Sequence, residues 1–101
     1  MKYNKLVRDG IPEIIKQNND TPITHIADDK EYRDKLKEKL KEEVDEFLEN
    51  STDEELADIL EIVYAIRDYM KIDKDKLEEI RENKAQKRGA FKGRIILDET
   101  K

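Results

Sequence analysis

Two apolar stripes with a helical repeat, separated only by Asn50-Ser51, constrain this chain more than any other feature. Leu36, Leu40, Val44 and Phe47 recur every three or four residues, with Tyr32 and Leu48 at the margins. Beyond the break, Leu56, Ile59, Leu60, Ile62, Val63, Ile66 and Met70 do the same. Such spacing gives a helix one apolar face. Two helices of this kind joined by a short turn pack antiparallel, so the pattern predicts a helical hairpin.

Capping residues set the expected limits. Asp28 can cap a helix over about 29–49, with Glu31 at capping-box spacing, and Ser51 with Glu54 can cap the next, which runs to about Met70. Asp9-Gly10 reads as a turn, and Pro12 suits the first turn of a short helix over about 12–18. Asn18 to Pro22 breaks the chain, and Asp73 starts a fourth helix over about 74–87. Ile23–Ile26 and Arg94–Leu97 are short and rich in β-branched residues, and are expected to pair as strands. The expected fold is therefore all-α, with residues 1–101 forming a single domain. It is an antiparallel helical hairpin or bundle of about four helices with at most two short strands.

Composition narrows the function classes. Hydrophobic residues make up 36% and charged residues 47% of the 101 positions. The periodicity of the apolar residues argues against disorder, but so thin a core leads us to expect an oligomer. The chain has no Cys, which rules out disulfides and thiolate metal sites and fits a cytoplasmic location. No apolar run approaches the roughly 18 residues of a membrane span, and no signal-type stretch follows the first residues. A net charge of −5 argues against duplex nucleic acid as a partner. A small phosphorylated ligand responds to local charge and stays open.

Local charge is arranged with purpose. Glu42-Glu43-Val44-Asp45-Glu46 and Glu55-Leu56-Ala57-Asp58 each place two carboxylates one helical turn apart. Glu43 falls inside the apolar arc of its helix and Glu46 on its edge; Glu55 and Asp58 repeat this on the next. A carboxylate facing a core is costly unless paired or metal-bound. In an antiparallel hairpin, Glu46 lies opposite Glu55, and Glu43 and Asp58 form the next layer. Four acids meeting there repel one another without a cation, and an all-oxygen donor set suits Mg²⁺, or Mn²⁺, better than zinc. Of the cations, Lys84 and Arg88 stand four apart on one face near Gly89 and Phe91, and Lys5 and Arg8 lie near the start. Guanidinium groups grip phosphate in bidentate fashion. His25, the single histidine, has no ligand-type neighbour in sequence and is read as structural or exposed.

The two acidic motifs across a hairpin resemble the MazG-like all-α nucleoside triphosphate pyrophosphohydrolases, which include phosphoribosyl-ATP pyrophosphohydrolase. The opening Tyr3-Asn4-Lys5-Leu6-Val7-Arg8-Asp9, with Ile11-Pro12-Glu13-Ile14-Ile15, is similar to a branch of small house-cleaning phosphohydrolases. So is the ending Lys87-Arg88-Gly89-Ala90-Phe91-Lys92-Gly93-Arg94-Ile95. Gly10 departs from the pattern, which has Lys there, and the gap between the acidic motifs is short. The resemblance implies Mg²⁺ held by Glu43, Glu46, Glu55 and Asp58, with Glu42, Glu43 and Glu46 as the catalytic carboxylates. It implies phosphate contacts from Lys5, Arg8, Lys84 and Arg88. The implied reaction releases pyrophosphate and a nucleoside monophosphate from a noncanonical or surplus nucleotide, in a homodimer or homotetramer. Phosphoribosyl-ATP hydrolysis and a non-catalytic nucleotide-binding or interaction role are the alternatives.

Overall fold

The computed structural model describes residues 2–101. Four helices follow in order, α1 (Ile11–Gln17), α2 (Asp29–Glu49), α3 (Asp53–Tyr69) and α4 (Lys74–Arg88). All four lie within a residue or two of the limits expected from the sequence. No helix among the described residues is long and apolar enough to cross a membrane.

The hairpin is the organising unit. α2 and α3 form the one extensive helix pairing among the described residues. Leu36 and Ile62 are the buried apolar side chains of their seam, and Glu43 is buried with them. At the open end of the hairpin the Tyr69 hydroxyl donates to Asp29 Oδ2 at 3.0 Å. The Tyr32 and Tyr69 rings meet edge to face with centroids 5.6 Å apart. At the closed end, Ser51 Oγ donates to the Phe47 carbonyl at 2.8 Å, tying off α2.

The cap of α3 differs from the expectation. Thr52, not Ser51, is the N-cap, and its hydroxyl accepts from the Glu55 backbone N–H at 3.2 Å. Ser51 is already used on the last turn of α2, so the next hydroxyl in line starts α3. The proposed box partner Glu54 instead has its N–H bonded to Asp53 Oδ1. At α2, the Asp28 cap is as expected, with Glu31 N donating to its carboxylate at 2.9 Å. The Glu31 side chain does not complete a box, because it binds His25.

Two helices end in the same backbone device. At α1, Asn19 adopts positive φ, with Asn19 N–H on Lys16 O and Asp20 N–H on Ile15 O. At α3, Lys71 takes that place, with Lys71 N–H on Asp68 O and Ile72 N–H on Arg67 O. These are Schellman closures, in which glycine or asparagine is the usual left-handed residue. Lys71 is neither, so its residue type does not announce the closure.

The two expected strands do not form. Ile23–Ile26 and Arg94–Leu97 have no strand assignment and are exposed. A four-residue strand has no stability without a partner, and these segments are carried by different supports. The first is tied to the start of α2, where His25 Nε2 lies 2.9 Å from Glu31 Oε1. The second follows α4, which does not pack extensively on the hairpin. The chain is correspondingly open, with a Cα radius of gyration of 18.0 Å, whereas a compact domain of this length has about 13 Å.

Candidate metal and phosphate site

The closed half of the hairpin gathers the acids. Carboxylate oxygens of Glu43 from α2 and of Glu55 and Asp58 from α3 lie within 4.8 Å of one another. Glu43 retains 7% exposure. Its Oε2 and the Oε2 of Glu55 are buried without a hydrogen-bond donor among the described residues. Such orphaned oxygens are costly unless something positive faces them.

The cap explains how α3 supplies its share. With Thr52 as N-cap, Glu55 is the third helical residue, its backbone N–H held by Thr52. Asp58 follows three residues later on the same face. Glu55 therefore lies in the first turn of α3, where the helix dipole presents partial positive charge, and Asp58 one turn further on. That field offsets part of the repulsion between them.

Three cations surround the acids. Lys39 Nζ lies 3.2 Å from Glu43 Oε1 and 3.4 Å from Glu42 Oε2, one turn earlier on α2. Partial burial alone would lower the Lys39 ammonium, but its bonds to Glu43 and Glu42 and their charges prevail and raise it. Lys5 Nζ reaches Glu42 Oε1 at 3.3 Å, and Arg8 Nη2 reaches Asp58 Oδ1 at 2.7 Å. Both come from the extended segment before α1, which crosses the hairpin with Leu6 and Val7 half-buried and Lys35 Nζ on the Asn4 carbonyl.

Glu46 stands outside the three converging acids, on the exposed side of α2. Its carboxyl is raised above its ordinary value, first by partial loss of water and then by the charges of Glu43, Glu42 and Glu55. It shares their field without joining their cluster. Lys84 and Arg88 are exposed on α4 and form no ion pair among the described residues. One chain thus brings Lys5 and Arg8 to the acids, while Lys84 and Arg88 belong to a helix not packed there.

Lys39 is the site residue that sequence reading overlooked. The signal was present in its position three residues before Glu42 and four before Glu43. It was masked because α2 has many lysine–glutamate pairs at that spacing, such as Lys30–Asp34 and Lys41–Asp45 on the solvent side.

No family model matches this chain, and comparisons with curated proteins and with solved structures give no match.

Proposed function

We propose that the chain is a Mg²⁺-dependent nucleoside triphosphate pyrophosphohydrolase. It would cleave between the α- and β-phosphates of noncanonical or surplus nucleotides, leaving a nucleoside monophosphate and pyrophosphate. The observation that carries this reading is the convergence of buried Glu43 with Glu55 and Asp58, where one carboxylate oxygen each of Glu43 and Glu55 has no hydrogen-bond partner among the described residues.

The donor set fits a hard divalent ion. It consists only of carboxylate oxygens, which suit Mg²⁺ or Mn²⁺, and one oxygen each of Glu43 and Glu55 lacks a hydrogen-bond partner among the described residues. Glu43, Glu55 and Asp58 would hold the ion, with Glu46 beside them. When bound, the ion would neutralise polyphosphate charge and act as a Lewis acid toward water.

The remaining residues have separable tasks. Glu46 is exposed and its carboxyl is raised by partial desolvation and then by its acidic neighbours, so it suits the role of proton acceptor from the attacking water. Glu42, shared between Lys5 and Lys39, holds both ammonium groups near the acids. Lys5 and Arg8 at the rim suit phosphate oxygens. Lys84 and Arg88 would act on the substrate only if α4 of another copy reached the site.

An assembly of copies is part of the proposal. Leu56, Leu60 and Tyr64 succeed one another along α3 and remain largely exposed, as do Leu48 and Met70. Apolar area of this extent in so open a protomer favours a homodimer or homotetramer. A Cys-free chain acting on nucleotides fits the cytoplasm.

The test is a screen of purified protein with Mg²⁺ against canonical and modified nucleoside and deoxynucleoside triphosphates, following pyrophosphate and monophosphate. Release of both from one or a few nucleotides, abolished by EDTA and by Glu43→Gln, is the expected result. Phosphate release without pyrophosphate, or activity that survives Glu43→Gln, would overturn it.

A further inference from the structure

Two cations touch the three converging acids, and they differ in kind. Lys39 reaches Glu43 from the same helix and moves with it. Arg8 comes from the extended segment outside the hairpin, and it is the cation bonded to Asp58 among the described residues. Asp58 is therefore the acid whose compensation rests on a separate and less embedded piece of chain. Residues 2–8 contain no helix, and their hold on the hairpin comprises Lys5–Glu42, Lys35–Asn4 and half-buried Leu6 and Val7. None of those contacts is made by the Arg8 guanidinium. The segment can thus keep its course while the guanidinium changes partner.

We infer that Arg8 is an exchangeable counterion that leaves Asp58 when a divalent cation enters, and then faces the anion bound with that cation. The inference rests on the metal reading above and deepens it. A divalent ion held among Glu43, Glu55 and Asp58 competes for the Asp58 carboxylate, which Arg8 holds through Oδ1 at 2.7 Å. The doubly charged ion also repels a guanidinium in contact with its own ligand. Once displaced, the guanidinium remains tethered at the rim by its neighbours in the segment. Cation entry would then prepare an anion-binding group, and the coupling is reciprocal. Without the cation, the Nη2 of the same group is engaged with Asp58 and its charge is partly compensated there.

The experiment uses the full chain and Mg²⁺ alone. Calorimetry gives the Mg²⁺ affinity of wild type, Arg8→Ala, Arg8→Gln, Glu43→Gln and Lys92→Ala. NMR follows the Arg8 side-chain Nε–H, with Asp58→Asn as the reference for an Arg8 released from its partner. Arg8→Ala and Arg8→Gln should bind Mg²⁺ about 1.5- to fivefold more tightly, the range for losing one exposed ion pair. Lys92→Ala, which removes an exposed charge of the same sign elsewhere, should bind as wild type does. Mg²⁺ should move the wild-type Arg8 signal toward its position in Asp58→Asn. Binding lost in Glu43→Gln but unchanged in both Arg8 variants, with the Arg8 signal unmoved, would overturn the counterion exchange and leave the metal site standing. An equal gain in Lys92→Ala would also overturn it, since bulk charge would then suffice. Absence of saturable Mg²⁺ binding in wild type, or its survival in Glu43→Gln, would overturn the metal site and the exchange together.

Discussion

Lys39 and Glu43 form an ion pair of 3.2 Å within one turn of α2, with Glu43 buried and Lys39 largely covered. Removing the ammonium leaves the Glu43 carboxylate buried beside Glu55 and Asp58 without its cation, whereas Lys39 without Glu43 still has Glu42. Lys39→Met should therefore destabilise the metal-free chain by about 1–3 kcal/mol. Urea unfolding with and without Mg²⁺ checks this, and the loss should shrink when Mg²⁺ is present.

Glu43→Gln should behave in the opposite way. The amide removes a buried charge from a group of acids and adds donors for the orphaned Glu55 oxygen. Metal-free stability should hold or rise, while the stabilisation that a bound ion confers on the folded state should vanish. Melting temperatures across a Mg²⁺ series would separate the two effects.

Thr52→Ala removes the cap of α3. The expected cost is about 1 kcal/mol, read from the urea midpoint. Because the same hydroxyl holds the Glu55 N–H, Mg²⁺ affinity should fall as well. Ser51→Ala should affect affinity less, since its hydroxyl closes α2.

Lys71→Gly should stabilise the chain despite adding a glycine. Lys71 has φ 58° at the end of α3, a conformation that costs a side chain roughly 1 kcal/mol. Relief of that cost is partly offset by the freer unfolded chain, so a net gain of about 0.5 kcal/mol is expected. The same change at an α3 interior position such as Ala65 should lower stability.

The acids should titrate in two directions. Glu46 is raised by partial desolvation and by its acidic neighbours, so the metal-free folded state binds its proton more readily than the unfolded chain. Its contribution is favourable at low pH and is lost as pH rises from the unfolded value through the raised folded one. Asp34 is lowered, chiefly by its hydrogen bond from Lys30, and its contribution is lost as pH falls through the folded value. Carboxyl-carbon NMR should find Glu46 titrating above Asp34, and Mg²⁺ should bring Glu46 down.

The hairpin was readable from the sequence because its evidence is periodic. Leu36 and Ile62 lie in the stripes that spacing picked out, and Asp28 capped as its type suggested. Antiparallel packing led to Glu46 opposite Glu55 with Glu43 and Asp58 in the next layer, and of these four acids Glu43, Glu55 and Asp58 converge while Glu46 stands aside. What escaped depended on competition between neighbours or on distant contacts. Ser51 was a plausible cap until Phe47 claimed its hydroxyl. The segments at 23–26 and 94–97 had strand composition, but pairing needs two partners on a shared support. Whether Glu46 or Lys39 stands closest to Glu43 turns on side-chain direction, which no spacing rule resolves. The ion pair between Arg8 and Asp58 spans 50 residues, and nothing local announces it.

The turn at Asn50–Thr52 has a consequence for how the chain can be divided. Glu43 lies on one side of it, and Glu55 and Asp58 on the other, so neither helix owns the acidic centre. A peptide of α2 alone or α3 alone keeps its spacing motif but has no cluster. Affinity for a cation would thus belong to the closed hairpin, and the free ion concentration would enter the folding equilibrium directly. Cutting the backbone at that turn should cost cation binding first, before either helix loses its own pattern of residues.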